Sequence, residues 1–253
     1  MKFNISTVAA LAAFTVSVSA SATHSWNDYH FARTTSNWTL QVVDSVDGNW
    51  QSTFEESLSR WTGGGGLSFN IAAADDSSRA RKRCSMVSGQ MRVCNAAYGQ
   101  NGWLGLASIN LDSNGHITQG TAKMNDSYSS YWTPEEMNHV MCQEIGHVFG
   151  LGHTSEDGSS QNTCMDYSTS SSSQWPNNHD FQMLDEMYAH LDSYNSYSDG
   201  STPTKPCRGK KCANNKGFGL GHKVHSGEGF EIWVTAEEDG TITIHHVYLA
   251  EGH

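Results

Sequence analysis

The sequence predicts an α+β fold with a mixed sheet, on three observations. β-forming stretches crowd residues 38–124, two helical periods follow between 133 and 192, and a hairpin signature stands near the C-terminus. Residues 38–43, rich in Trp, Thr, Leu and Val, open as a strand. Trp50, Phe54, Leu58 and Trp61 recur at helical spacing, and the run Gly63–Gly66 ends that helix before a second strand at 67–72. Residues 75–100 read as a polar loop pinned by a Cys84–Cys94 bridge. Strands at 103–111 and 116–124 flank the turn signal Asp112-Ser-Asn-Gly115. The next helix starts clearly: Thr133 can cap it, Pro134 takes the first helical position, and Glu136 completes a capping box. It should run to about Phe149 and stop at Gly150. After the serine-rich loop 168–173, Phe181, Leu184, Tyr188 and Leu191 mark a last helix ending near Asp192. Residues 194–216 are polar, carry Pro203 and Pro206, and read as a linker. Residues 231–235 and 241–245 flank Glu237-Glu-Asp-Gly240, which reads as a hairpin. The expected organisation is a leader at 1–22, a main domain at 23–193, the linker, and a small β appendage at 217–253. That appendage is too short for a core of its own and should dock on the main domain.

Composition narrows the function classes. Hydrophobic residues make up 37% and charged residues 16%, which is globular rather than disordered. A net charge of −11 argues against nucleic acid as a partner, and the basic clusters at 79–83 and 205–211 read as solvated loops. Lys2, the apolar run 8–18 and Ala20-Ser21-Ala22 form a secretory leader, so the mature chain should begin at Thr23. The run is too short for a stable membrane anchor. The six cysteines agree with an oxidising compartment, extracellular or periplasmic. Sequence proximity pairs Cys84 with Cys94 and Cys207 with Cys212, leaving Cys142 for Cys164. Asn37-Trp-Thr39 and Asn125-Asp-Ser127 match N-glycosylation sequons.

The chemistry concentrates in Gln143-Glu-Ile-Gly-His147-Val-Phe-Gly150-Leu-Gly-His153. Positions 143 and 147 are one helical turn apart and share a face, so both can reach one ion. Glu144, about 100° round the helix, can serve a metal-activated water as general base without ligating the metal. Gly150 lets the chain turn back and deliver His153. Three protein ligands with one open position is the catalytic arrangement of zinc. Cys164-Met-Asp-Tyr167 follows closely.

These residues resemble the metzincin metalloproteases at Glu144, His147, Gly150, His153, Met165 and Tyr167. They depart from them at Gln143, where the common motif has histidine. A group of secreted metzincin-like proteins with Gln-Glu-x-x-His here is also similar, including around 93–99 and 123–126. The resemblance implies a metzincin-like catalytic domain, with a twisted sheet, an active-site helix, a methionine turn beneath the metal at Met165, and a final helix. It implies a zinc cofactor held by Gln143, His147 and His153, with Glu144 and Tyr167 catalytic, and a protein or peptide substrate cleaved by a monomeric endopeptidase. Substrate would pair with an edge strand, either 103–111 or 116–124. Gln143 either ligates through its amide oxygen or leaves two histidines and more water. The alternative function is a metzincin-like binding module that has lost hydrolysis. The tail histidines His222, His225, His245 and His246 are expected to be surface or packing residues, since neighbours in a strand face opposite ways.

Overall fold

The computed structural model describes residues 24–200 and 220–252. The expected leader, and the Cys207–Cys212 pair, lie outside the described residues. Strands β1 (Trp38–Ser45) and β2 (Leu67–Ala74) run parallel, with helix α1 (Gln51–Trp61) as their crossover. β3 (Gln90–Ala96) runs parallel to β1 on one side and to β5 (Ile117–Asn125) on the other. β3 and the short helix α2 (Ser78–Arg83) both fall within 75–100, the stretch expected to be a loop. A polar residue that hid this strand finds its partners far along the chain: Asn95 donates to Asp47 and Asp126 at 2.8 and 2.9 Å. The Cys84–Cys94 bridge is formed and ties the end of α2 to β3.

β4 (Trp103–Leu111) is antiparallel to β5 and, on its other edge, to β8 (Ile242–Leu249). Beyond β8 come β7 (Phe230–Ala236) and β6 (His222–Gly227), so the described strands form one mixed sheet in the order β2-β1-β3-β5-β4-β8-β7-β6. The expected hairpin is the β7–β8 connection, where the Gly240 amide donates to the Glu237 carbonyl at 3.1 Å. The C-terminal strands thus continue the main sheet from β4.

Helix α3 (Pro134–Val148) lies across β4 and β5 and packs against α1. Its start matches expectation, with the Thr133 hydroxyl accepting the Glu136 amide at 3.2 Å and Pro134 in the first turn. It ends at Val148, and the turn that follows is made at Gly150, whose φ of 103° and close approach to the Tyr29 carbonyl exclude a side chain. Phe54, Trp61, Met141, Ile145 and Phe149 fill the space between the helices and the sheet; each contributes about 1.5–3 kcal/mol by leaving water. Helix α4 (Asn178–Met187) closes the domain behind a capping box of Asn177 and Asp180. It is shorter than its apolar spacing suggests. Tyr188 leaves the helix to bond Phe31 and Phe149, and Leu191 is exposed. Residues 194–200, expected to open a linker, lie on the domain: the Ser196 and Ser198 amides donate to Ala32 and Gly89. The sequon at Asn125 is unusable in the folded chain, because its buried amide donates to Gly99, Asn101 and Trp103. Among the described residues no helix is long and apolar enough to cross a membrane.

Candidate metal centre

Helix α3 and the turn after it bring two imidazoles together. His147 Nδ1 lies 2.7 Å from the Leu151 carbonyl, so Nδ1 carries the proton and Nε2 carries the lone pair. After the Gly150 turn the chain returns His153, whose Nδ1 faces Glu156 at 3.4 Å. The two Nε2 atoms stand 3.1 Å apart in a buried pocket. Desolvation by burial holds both histidines below the ordinary range, His147 well below it. Neutral imidazoles with lone pairs converging on one point are the form in which histidine binds a metal.

Gln143 is fully buried on the same helix. Its Nε2 donates to the carbonyls of Cys164 and Asp166, each at 2.9 Å. The Cys142–Cys164 bridge, formed as expected, clamps α3 to that turn. The amide orientation is therefore fixed, and Oε1 is left buried with no hydrogen-bond partner. Met165 packs under the helix, so that a Cβ on Gly146 would come within 2.7 Å of its sulfur.

Glu144 faces β4. A Cβ on Gly105 would stand 2.5 Å from its Oε1, so only glycine admits the carboxylate there. Burial pushes the Glu144 carboxyl well above the usual range, and the Ala107 backbone amide opposes this only in part. A raised carboxyl beside a candidate metal centre suits a group that takes up and hands on a proton. The Tyr167 ring meets that of His153 edge-on, with centroids 4.5 Å apart.

The residue missed in the sequence is His246. In β8 it pairs with Ala107 of β4, so its ring drops to the α3 face while His245 turns to the other face and meets Ser108 at 2.8 Å. The alternation was legible, and His246 is buried among other rings as a packing residue, but in a place where its nitrogen could also serve an ion. Its ring lies 3.9 Å from that of His147 and 4.7 Å from that of His153. Its Nδ1 is 3.4 Å from Glu144 Oε2 and its Nε2 is 2.8 Å from the Tyr167 hydroxyl. His147, His153 and His246 each offer a nitrogen within 4.8 Å of the others, enough to hold a metal ion. The signal was available in Ile244, His246 and Tyr248, which share the inward face of a strand.

The C-terminal strands also enclose the centre. Phe230 sits 4.8 Å from His153 and stacks on Tyr167, and Tyr248 stacks on Tyr167 from β8. A cavity of about 430 Å³ opens beside Tyr167, lined by Leu104, Tyr131, Glu136 and Glu228. The expectation that 103–111 or 116–124 offers a free edge is corrected: β5 lies between β3 and β4, and β4 lies between β5 and β8. The chain matches no protein-family model, no curated protein and no solved structure.

Proposed function

We propose that the chain is a secreted zinc-dependent endopeptidase, held latent in this conformation by its own C-terminal strands. The observation that carries the reading is the meeting of the His147 and His153 lone pairs at 3.1 Å, three residues along the helix from a buried carboxyl with raised pKa. The orphaned Gln143 Oε1 fits the same ion, because a buried oxygen without a donor is stabilised by a cation. Gln143, His147 and His153 would hold the zinc. When bound, zinc supplies Lewis-acid polarisation of a peptide carbonyl and of water. Glu144 takes a proton at its carboxylate and returns it to the leaving amine, and the Tyr167 hydroxyl stabilises charge on the carbonyl oxygen. The metzincin-like motif at 143–167 supports these roles.

In this conformation His246 bridges the two groups that would do the chemistry, Glu144 through Nδ1 and Tyr167 through Nε2. If either nitrogen gave up that partner for the ion, His246 would be a fourth protein ligand, and four ligands make a closed zinc site rather than a catalytic one. β8 runs antiparallel along β4, the path an extended peptide would follow. One observation favours a second reading, a metal-binding module without hydrolysis: the β4 edge is paired along nearly its whole length.

Zinc content and hydrolysis of a broad fluorogenic peptide library separate the two, using the full chain, His246→Ala, and His246→Ala combined with Glu144→Ala. The latent-enzyme reading expects His246→Ala to keep its zinc and hydrolyse at least tenfold faster than wild type, with the gain abolished in the double variant. Loss of zinc from His246→Ala, or hydrolysis no faster than the double variant, would leave the binding-module reading standing instead. Near-ultraviolet circular dichroism checks that the variants stay folded.

A further inference from the structure

We infer that the chain carries a second divalent-cation site, formed by His30, His190 and Asp192 with His116 on the same carboxylate. It shares no residue with the centre on α3. Its groups come from three segments: the strap before β1, the turn before β5, and the chain after α4. His30 Nε2 is 3.1 Å from His190 Nε2 and 3.9 Å from Asp192 Oδ2. His190 and His116 place their Nε2 atoms 3.6 and 3.4 Å from Asp192 Oδ1. Ligands of a tetrahedral zinc, at ~2.0–2.2 Å from the ion, stand roughly 3.3 Å from one another, and these separations straddle that value.

The hydrogen bonds behind the rings say which nitrogen faces inward. His30 Nδ1 donates to the Asp28 carbonyl at 2.8 Å, which leaves the lone pair on Nε2. The Tyr194 hydroxyl donates its proton to Asp112, so it accepts from His116 Nδ1 at 2.7 Å, and the His116 lone pair also lies on Nε2. Two lone pairs and a carboxylate therefore converge, and the one Nε2 proton that His190 can bring satisfies only one of them. A cation satisfies them together. The carboxylate is itself aimed by the Arg33 amide, which donates to Oδ2 at 2.9 Å. Such backing of metal-binding groups by further hydrogen bonds is the usual way a site is oriented. Imidazoles with one carboxylate select zinc or a similar transition ion, since calcium and magnesium prefer all-oxygen ligands. His30 and Asp192 are largely buried while His190 is half exposed, which gives the ion a way in. An ion here ties residues 160 positions apart, so its effect is on stability.

The test is zinc stoichiometry of the metal-stripped full chain after dialysis against micromolar zinc. Wild type should take up two equivalents, and His190→Ala and Asp192→Asn one each. A chain with His147→Ala and His153→Ala should still bind one equivalent and melt several degrees higher with zinc than with chelator. Adding His190→Ala to it should abolish both effects. Because the His190 ring is half exposed, its removal opens no core cavity, so the wild-type and His190→Ala comparison stands even if the double variant fails to fold. Equal zinc content in wild type and His190→Ala overturns the site.

Discussion

The Gln143 amide nitrogen donates to two carbonyls of the following turn, Cys164 and Asp166. Histidine at this position could offer one N–H at most to those two acceptors. The glutamine thus fastens α3 to the turn that carries Met165 and Tyr167, and does so while leaving one oxygen free. Replacing it by alanine strands both carbonyls in a buried place, and should cost on the order of 2–4 kcal/mol. Urea unfolding of metal-stripped Gln143→Ala against wild type measures this directly, and a loss under 0.5 kcal/mol would mean the two bonds are not made. Gln143→His should do the opposite to the metal, slowing zinc loss to a chelator, since imidazole is the better zinc ligand. Unchanged zinc loss would take Gln143 off the list of ligands. Gly105 deserves the same treatment from the other side. Alanine there would drive a methyl onto Glu144 Oε1 and Val140 Cγ1, at 2.5 and 2.7 Å. Such overpacking costs about 1–3 kcal/mol and should displace the Glu144 carboxyl as well. Thermal melts read the first effect.

β8 is the element on which the functional reading turns. It lies between β4 and β7, so each of its backbone amides serves one neighbour or the other. Val247 packs with Trp103, Leu106 and Leu220 on the face away from α3. Proline at 247 removes a ladder donor from an interior strand and should release β8 while leaving β1, β3 and β5 paired. Hydrogen exchange then separates two cases. If the C-terminal strands are a separable cover, β4 amides lose protection in Val247→Pro and β1 and β3 amides keep theirs. If all amides lose protection together, β6 to β8 belong to one cooperative unit with the domain.

The elements differ in how far the sequence exposed them, for physical reasons. Strand 103–111 and the cap at Thr133 were legible because each rests on local chemistry: β-forming residues, a hydroxyl, a proline. β3 was not, because its Asn95 side chain finds its partners only far along the chain, in Asp47 and Asp126. His246 was half legible for a related reason. Alternation along β8 assigns its face, but only the β4 pairing says that this face lies over residues more than ninety positions earlier in the chain.

Across the whole molecule, buried histidines set the response to acid. Desolvation holds His139, His147, His153 and His246 below the ordinary range, and burial near Lys123 takes His245 down to about 3. In the unfolded chain each takes a proton near pH ~6.5. Above that pH both states are neutral and nothing is lost. Below it the unfolded chain binds protons that the folded chain excludes, so stability falls by roughly 1.4 kcal/mol per pH unit for each imidazole, for His245 down to about pH 3. Glu144 runs the other way. Its raised folded pKa contributes stability that is full below the unfolded value near ~4.5 and fades as pH rises. Burial raises the Asp126 and Glu136 carboxyls as well and lowers His30, so three carboxyls stand against six imidazoles, and the imidazoles remain in control between pH 5 and 6.5. Metal-stripped protein should therefore melt about 10 °C lower at pH 5 than at pH 7, counting only two fully excluded protons. Zinc should widen the difference, because it binds neutral imidazoles and competes with the same protons. A melting temperature that is flat or rising toward pH 5, measured with chelator present, would mean that these rings accept protons in the folded chain. The cluster around His147 would then be held together by shared protons, and the case for a metal between its nitrogens would fall with it.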